Sequence, residues 1–199
     1  QRDATGETAT NFDTDFIVVY VFAIALMMSV FVTNGYLMQT IIEEKETRLI
    51  EILISDMRPT QLLAGKILAL GLLGLMQIVV WVVGLTLLAN LATGNAIPTL
   101  AAIANITLPP DRVALLLVYF VFGYLFFAAA YGMVSAISST MQEGPQYAVI
   151  FTLPAVIPLY FLAMFIESPG APLPTILSIF PVTAPMAMVM RITITTVPA

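Results

Sequence analysis

The sequence predicts an all-α protein: a polytopic transmembrane helical bundle with a short cytoplasmic amphipathic helix and a proline-broken re-entrant segment. Three observations predict it. Hydrophobic residues make up 60% of the 199-residue chain and charged residues only 10%, with a mean hydropathy of +0.99. A soluble domain carries roughly a quarter charged residues, because its surface faces water. The apolar residues are also gathered into stretches of about 20 residues or more, enough to cross roughly 30 Å of hydrocarbon as a helix. Open strands are excluded there, since lipid cannot satisfy their free backbone groups. Finally, most of the charges are gathered into a few short segments outside those stretches.

The elements follow in chain order. Residues 1–15 are polar and read as the extracellular tail of a preceding soluble segment. Residues 16–42 form the first span. Residues 43–58 are too short and too charged to cross. Read at 3.6 residues per turn, Arg48, Glu51, Ser55 and Arg58 share one face, and Leu49, Ile50, Leu53 and Met57 the other. Such a helix lies along the membrane surface with its polar face toward water. The acidic run Glu43, Glu44 and Glu46 sits at its start, where the helix dipole favours negative charge, and Glu44 can pair with Arg48 one turn on. Pro59 stops this helix, and Thr60 can cap the next.

Residues 62–92 form the second span, 93–112 an external loop, 113–140 the third span and 146–166 the fourth, after the turn Met141-Gln-Glu-Gly-Pro145. Residues 172–197 are apolar but carry Pro172, Pro174, Pro181 and Pro185, so two short helices meeting near Phe180–Pro185 fit better than one span. Orientation follows from the basic residues. Lys45, Arg48, Arg58 and Lys66 are four of the seven in the chain and cluster around one loop, which the positive-inside rule places in the cytoplasm.

Several function classes are excluded on residue inventory. The chain has no Cys and no His, so it has no disulfide, thiol chemistry, Ser-His-Asp triad or HExxH metalloprotease motif. No metal site is expected; the Glu43, Glu44, Glu46 cluster is accounted for by the helix dipole. No basic run points to nucleic acid. Gly65-Lys66 is not a phosphate loop, because the glycine required five positions before Gly65 is Thr60. No enzyme activity is expected, and no cofactor bound directly. Lys66 is expected to snorkel to the headgroups.

Among polar residues inside apolar stretches, Asn34, Gln77 and Arg191 are candidates for a gate or cavity, since intramembrane polar and charged groups often face one. The competing reading for Asn34, Gln39, Gln77 and Asn90 is hydrogen bonding between helices; for Arg191 it is snorkelling at the outer interface. Ala128, Gly132 and Ala136 recur every four residues and suit close helix approach, inside the bundle or at a dimer seam.

The run Glu43-Glu-Lys-Glu-Thr-Arg-Leu-Ile-Glu-Ile-Leu-Ile-Ser55, followed by Gln61-Leu-Leu-Ala-Gly-Lys-Ile-Leu68, resembles permeases of the type-2 ABC exporter superfamily, most nearly the NatB-like branch. Phe180-Pro-Val-Thr-Ala-Pro-Met-Ala-Met-Val-Met-Arg191 and, more weakly, Tyr131 to Gln146 match as well. The resemblance covers about residues 16–195. It implies that the four spans correspond to spans two to five of six, that 43–58 is a cytoplasmic coupling helix, and that 172–197 is the external re-entrant pair. It implies Glu43, Glu44, Glu46, Arg48, Glu51, Ser55, Asp56 and Arg58 as the surface that meets an ABC ATPase subunit, which would bind the ATP. It further implies a second permease unit, identical or different, and a place in the plasma membrane. The function expected is the membrane-spanning part of an ATP-driven exporter of an ion, drug, peptide or lipid. The rival reading is a non-transporting membrane scaffold or sensor that docks a cytoplasmic partner through 43–58.

Overall fold

Proline sets several of the helix ends among the described residues, and the ends explain how the helices meet. The structure, a computed structural model, describes residues 3–47, 58–92 and 110–194. Among these residues it is all helix, with no strand: α1 (Asp3–Glu46), α2 (Pro59–Ala92), α3 (Pro110–Ile137), α4 (Glu143–Tyr160), α5 (Leu162–Glu167), α6 (Pro172–Ile179) and α7 (Ala184–Ile194). Pro59, Pro110 and Pro172 each open a helix, where the fixed φ is already helical and the missing N–H would have had no intrahelical partner. The chain leaves α6 at Phe180, which is extended (φ −70°, ψ 121°) because the following Pro181 crowds the α region for the residue before it.

Three of the helices contain segments long and apolar enough to cross a membrane: Ala23–Glu46, Pro59–Gly84 and Ala114–Ile137. The fold is therefore a helical transmembrane bundle. Its boundaries differ from those read along the sequence. Residues 43–46, expected to begin a separate interfacial helix, are the last turn of α1, and α1 reaches back to Asp3 through the polar opening stretch. Nothing interrupts helical geometry between Ile42 and Glu46, and the Glu44 and Glu46 side chains are satisfied by neighbouring elements rather than by a new helix start. Helix α2 begins at Pro59 rather than 62, so Thr60 lies inside it instead of capping it. Helix α3 ends at Ile137 rather than 140. The 146–166 stretch is not one helix: Pro154 and Pro158 remove successive backbone donors, and it divides at Phe161 into α4 and α5.

Helix α1 is the hub, packing against α2, α3, α4, α5 and α7. Its buried residues Ala23, Leu26, Val30, Leu37, Met38 and Ile42 recur at three- and four-residue spacing, a single stripe facing the bundle. Helix α3 answers with Phe120, Tyr124, Phe127, Tyr131 and Val134, whose rings interleave with Phe31 of α1 (Phe31 to Phe127, 5.2 Å, edge-on). Helix α7 is the most enclosed element: Met186 through Met190 and Ile192 are all buried. The proline-broken segment thus forms part of the core. Its non-helical residues 180–183 are tolerated because their polar groups are paired. Thr183 donates its hydroxyl to Leu177 O (2.6 Å), and Ala184 N–H reaches Phe180 O (2.7 Å). Helix α2 is peripheral: 6% of its apolar window is buried, against 39% for α3.

Candidate functional site

One end of the bundle gathers Glu43, Glu44, Lys45, Glu46, Arg58, Lys66 and Glu143. The last turn of α1 presents three successive side chains there, and their roughly 100° spacing around the helix sends them to different neighbours. Glu44 forms an ion pair with Lys66, in the second turn of α2. Lys45 extends toward the C-terminus of α3 and donates to the carbonyls of Ser135 (3.0 Å), Ala136 (2.9 Å) and Ser138 (2.9 Å). Glu46 accepts a hydrogen bond from the backbone N–H of Met141 (2.8 Å), in the turn between α3 and α4.

Each contact satisfies a need created by the neighbour. The final carbonyls of a helix lack intrahelical partners and carry the negative end of its dipole, so an ammonium is the complement they require. Lys45 has three N–H donors and finds three carbonyls, leaving none of its hydrogen-bonding capacity to water. Within the turn, Glu143 accepts from the N–H of Ser139 (2.8 Å), and the Ser138 hydroxyl donates to Val134 O (2.8 Å). Gly144 lets α4 close against α1 at this level: a Cβ there would lie 2.6 Å from Ile42 Cδ1 and 3.2 Å from Met38 Sδ. The α1 terminus, the α3–α4 turn and the start of α4 are therefore one packed unit.

Of the residues expected to meet a partner, Glu43, Glu44, Glu46 and Arg58 fall in the described part, and Arg48, Glu51, Ser55 and Asp56 lie outside the described residues. The expected pairing of Glu44 with Arg48 falls outside them too. Lys66, expected to snorkel to the headgroups, is turned toward Glu44 of α1. Glu43 and Arg58 are exposed, and Arg58 N–H reaches the Gln61 side chain at 3.4 Å. In the sequence reading Lys45 served only as one of the basic residues that set the orientation. A lysine in the last turn of a predicted span was the signal available, but its partners lie 90 to 93 positions away.

The gate candidates do not come together with this cluster. Asn34 is wholly buried on α1 and bonds Val30 O within its own helix (2.8 Å), its side-chain oxygen having no hydrogen-bond partner. Gln77 is half-buried on α2, and Gln39 is exposed. The interhelical bonds are made instead by Ser29, which donates to Gly74 O of α2 (2.7 Å), Tyr124, which donates to Ile67 O of α2 (2.7 Å), and Tyr131, paired with Thr152 of α4 (2.8 Å). Arg191 is half-buried in the last turn of α7, between buried Met190 and Ile192. An apolar crevice of about 20 Å³ opens between α1, α3, α4 and the α6–α7 break, lined by Leu26, Phe31, Phe127, Ala155, Val182 and Pro185 among others.

Similarity to known proteins agrees with this architecture. The chain is 30% identical over 177 residues to the uncharacterized protein MJ1024 of Methanocaldococcus jannaschii, covering 89% of this chain and 41% of that one. It is 28% identical over 184 residues to the uncharacterized protein YhaP of Bacillus subtilis, covering 90% of this chain and 43% of that one. The chain thus spans about two fifths of the length of these curated relatives. No solved structure matches it. The family described as ABC-2 family transporter protein matches residues 4–199, and the chain belongs to that family of integral membrane proteins.

Proposed function

We propose that this chain is the membrane-spanning core of an ATP-driven ABC exporter permease, with ATP hydrolysed by a separate ATPase subunit that docks on segment 43–58. On this reading the described spans correspond to spans two to five of a NatB-like permease, the 43–58 end faces the cytoplasm, and two permease units work together in the plasma membrane. ATP-driven closure of the ATPases pushes on 43–58, and the flanking helices tilt to open an outward path for an ion, drug, peptide or lipid. The observation that supports it best is the set of contacts at the α1 terminus. Glu44, Lys45 and Glu46 join the root of that segment to α2, to α3 and to the α3–α4 turn, so a load applied there reaches three spans. Coupling of this kind requires a two-state element as well as adjacency, and on this reading the helices flanking 43–58 serve as that element.

Since the chain has no cysteine, one introduced thiol tests the reading. Ser55→Cys in the full-length protein, co-expressed with the candidate ATPase, should crosslink to it in native membranes, and Thr99→Cys should not. Labelling of Ser55→Cys from the cytoplasm without any ATPase crosslink would favour the scaffold or sensor reading. Access only from the outside would invert the orientation and end the coupling reading.

A further inference from the structure

The contacts of Lys45 and Glu46 go beyond joining neighbours. In most helices the terminal carbonyls are satisfied by the chain's own next residues or by water. Here the three carbonyls at the end of α3 are satisfied by a side chain 90 to 93 residues earlier, on a different helix. The next residue on α1, Glu46, holds a backbone N–H of the same turn. Together they grip the α3–α4 turn from both polarities, Lys45 taking its acceptors and Glu46 one of its donors. The contact to α2 has a different character. The α1 terminus itself meets α2 through one partly exposed ion pair, while Ser29 of α1 and Tyr124 of α3 donate to α2 carbonyls farther from that terminus. At its terminus α1 thus makes four hydrogen bonds to the end of α3 and the α3–α4 turn and one ion pair to α2.

We propose that Lys45 is a positioning residue that makes the end of α1 and the α3–α4 turn one rigid body, so that α1, α3 and α4 move together and α2 moves relative to them. The inference rests on the coupling reading for its consequence in transport, but the rigid body itself does not. Glu46 supports it by fixing the turn's orientation. The Glu44–Lys66 pair is the joint across which movement occurs.

The test uses the full-length protein in membranes with its candidate ATPase. Thr47→Cys and Thr140→Cys, placed next to the Glu46–Met141 contact, are joined by a short bismaleimide. Crosslinking should be fast in the otherwise unaltered protein and in Lys45→Arg, which retains charge and donors. It should fall about tenfold in Lys45→Met. Lys66→Met, which removes only the α2 joint, should leave the rate unchanged and reports that such a substitution does not disturb the fold. Transport per ATP hydrolysed should fall about tenfold in Lys45→Met while its Ser55→Cys crosslink to the ATPase persists. An unchanged Thr47–Thr140 crosslink in Lys45→Met would overturn the rigid body, whatever transport does. Equal loss of that crosslink in Lys45→Arg would overturn the role given to the ammonium–carbonyl contacts. If Ser55→Cys fails to meet the ATPase even without the Lys45 change, the docking reading falls and the crosslink rates still decide the rigid body.

Discussion

Gly123 and Gly132 lie nine positions apart on α3, yet the bundle treats them oppositely. A Cβ at Gly123 would stand 2.7 Å from Pro185 Cβ and 2.8 Å from its Cγ, atoms of a ring that cannot swing aside. A Cβ at Gly132 would meet nothing within 4 Å. Gly123→Ala should therefore destabilise the protein by about 1–3 kcal/mol through overpacking, read as a lower unfolding midpoint in detergent. Gly132→Ala should stay within about 0.5 kcal/mol of the parent. Equal behaviour of the two would mean that α7 does not seat on α3 at Pro185. At Gly144 the nearest atom is the free end of Ile42, which can rotate, so Ala is expected to be milder there than at Gly123.

At the scale of elements, α2 is the informative helix. Beyond the ion pair to Glu44, two hydrogen bonds hold it: Ser29 to Gly74 O and Tyr124 to Ile67 O. Gly74 also lets α1 approach, since a Cβ there would lie 3.2 Å from Thr33 Cγ2 and Phe120 Cζ. Ser29→Ala and Tyr124→Phe should each cost about 0.5–1.5 kcal/mol. Their acceptors are seven residues apart, about 10 Å along the helix, so the double variant should be additive within about 0.5 kcal/mol. A large departure from additivity in detergent unfolding would show that α2 docks as a single cooperative contact. The outward side of α2, with Leu72 69%, Met76 68% and Val80 61% exposed, is apolar surface of the kind that lipid tails solvate. Met76→Lys, near the middle of the helix, should lower membrane insertion of α2 by about 2.5–3.5 kcal/mol on an insertion scale, measured by glycosylation mapping. Insertion equal to the parent would show that Met76 does not face hydrocarbon.

For the whole molecule, the contact between Glu46 and Met141 requires the end of α1 and the start of α4 to lie at one end of the bundle. The 26 residues from Glu143 to Ser168 that follow span about 39 Å if helical, enough to cross the bilayer even with the break at Phe161. Single thiols at Thr47 and Thr140 should therefore react with an impermeant maleimide from the same side, and one at Ser168 from the other. Labelling of all three from one side would mean that α4 and α5 fold back without crossing.

The sequence by itself determined the solvent and the class of fold, because both depend on quantities that add along the chain. The share of apolar residues, the length of each apolar run and the absence of His and Cys need no knowledge of neighbours. Proline is local in the same way: Pro59, Pro172 and Pro181 act on their own φ and on the residue before them, so the helix ends they impose are readable in one dimension. What only the tertiary structure decided depends on residues far apart in sequence. Glu44 reads as a partner for Arg48 one turn away and is found with Lys66, since a charge takes the partner that the bundle brings closest. Lys45 reads only as one of the basic residues that set orientation, yet it closes the end of a helix 90 residues on. Asn34 and Gln77 read as interhelical glue, while Ser29 and Tyr124 form those bonds, because burial in a bundle depends on which face of a helix meets another. The broken segment at 172–197 reads as a re-entrant pair, and its described part contains the most enclosed helix: a break can be buried once neighbouring helices cover its backbone, and that covering is a property of the assembled bundle.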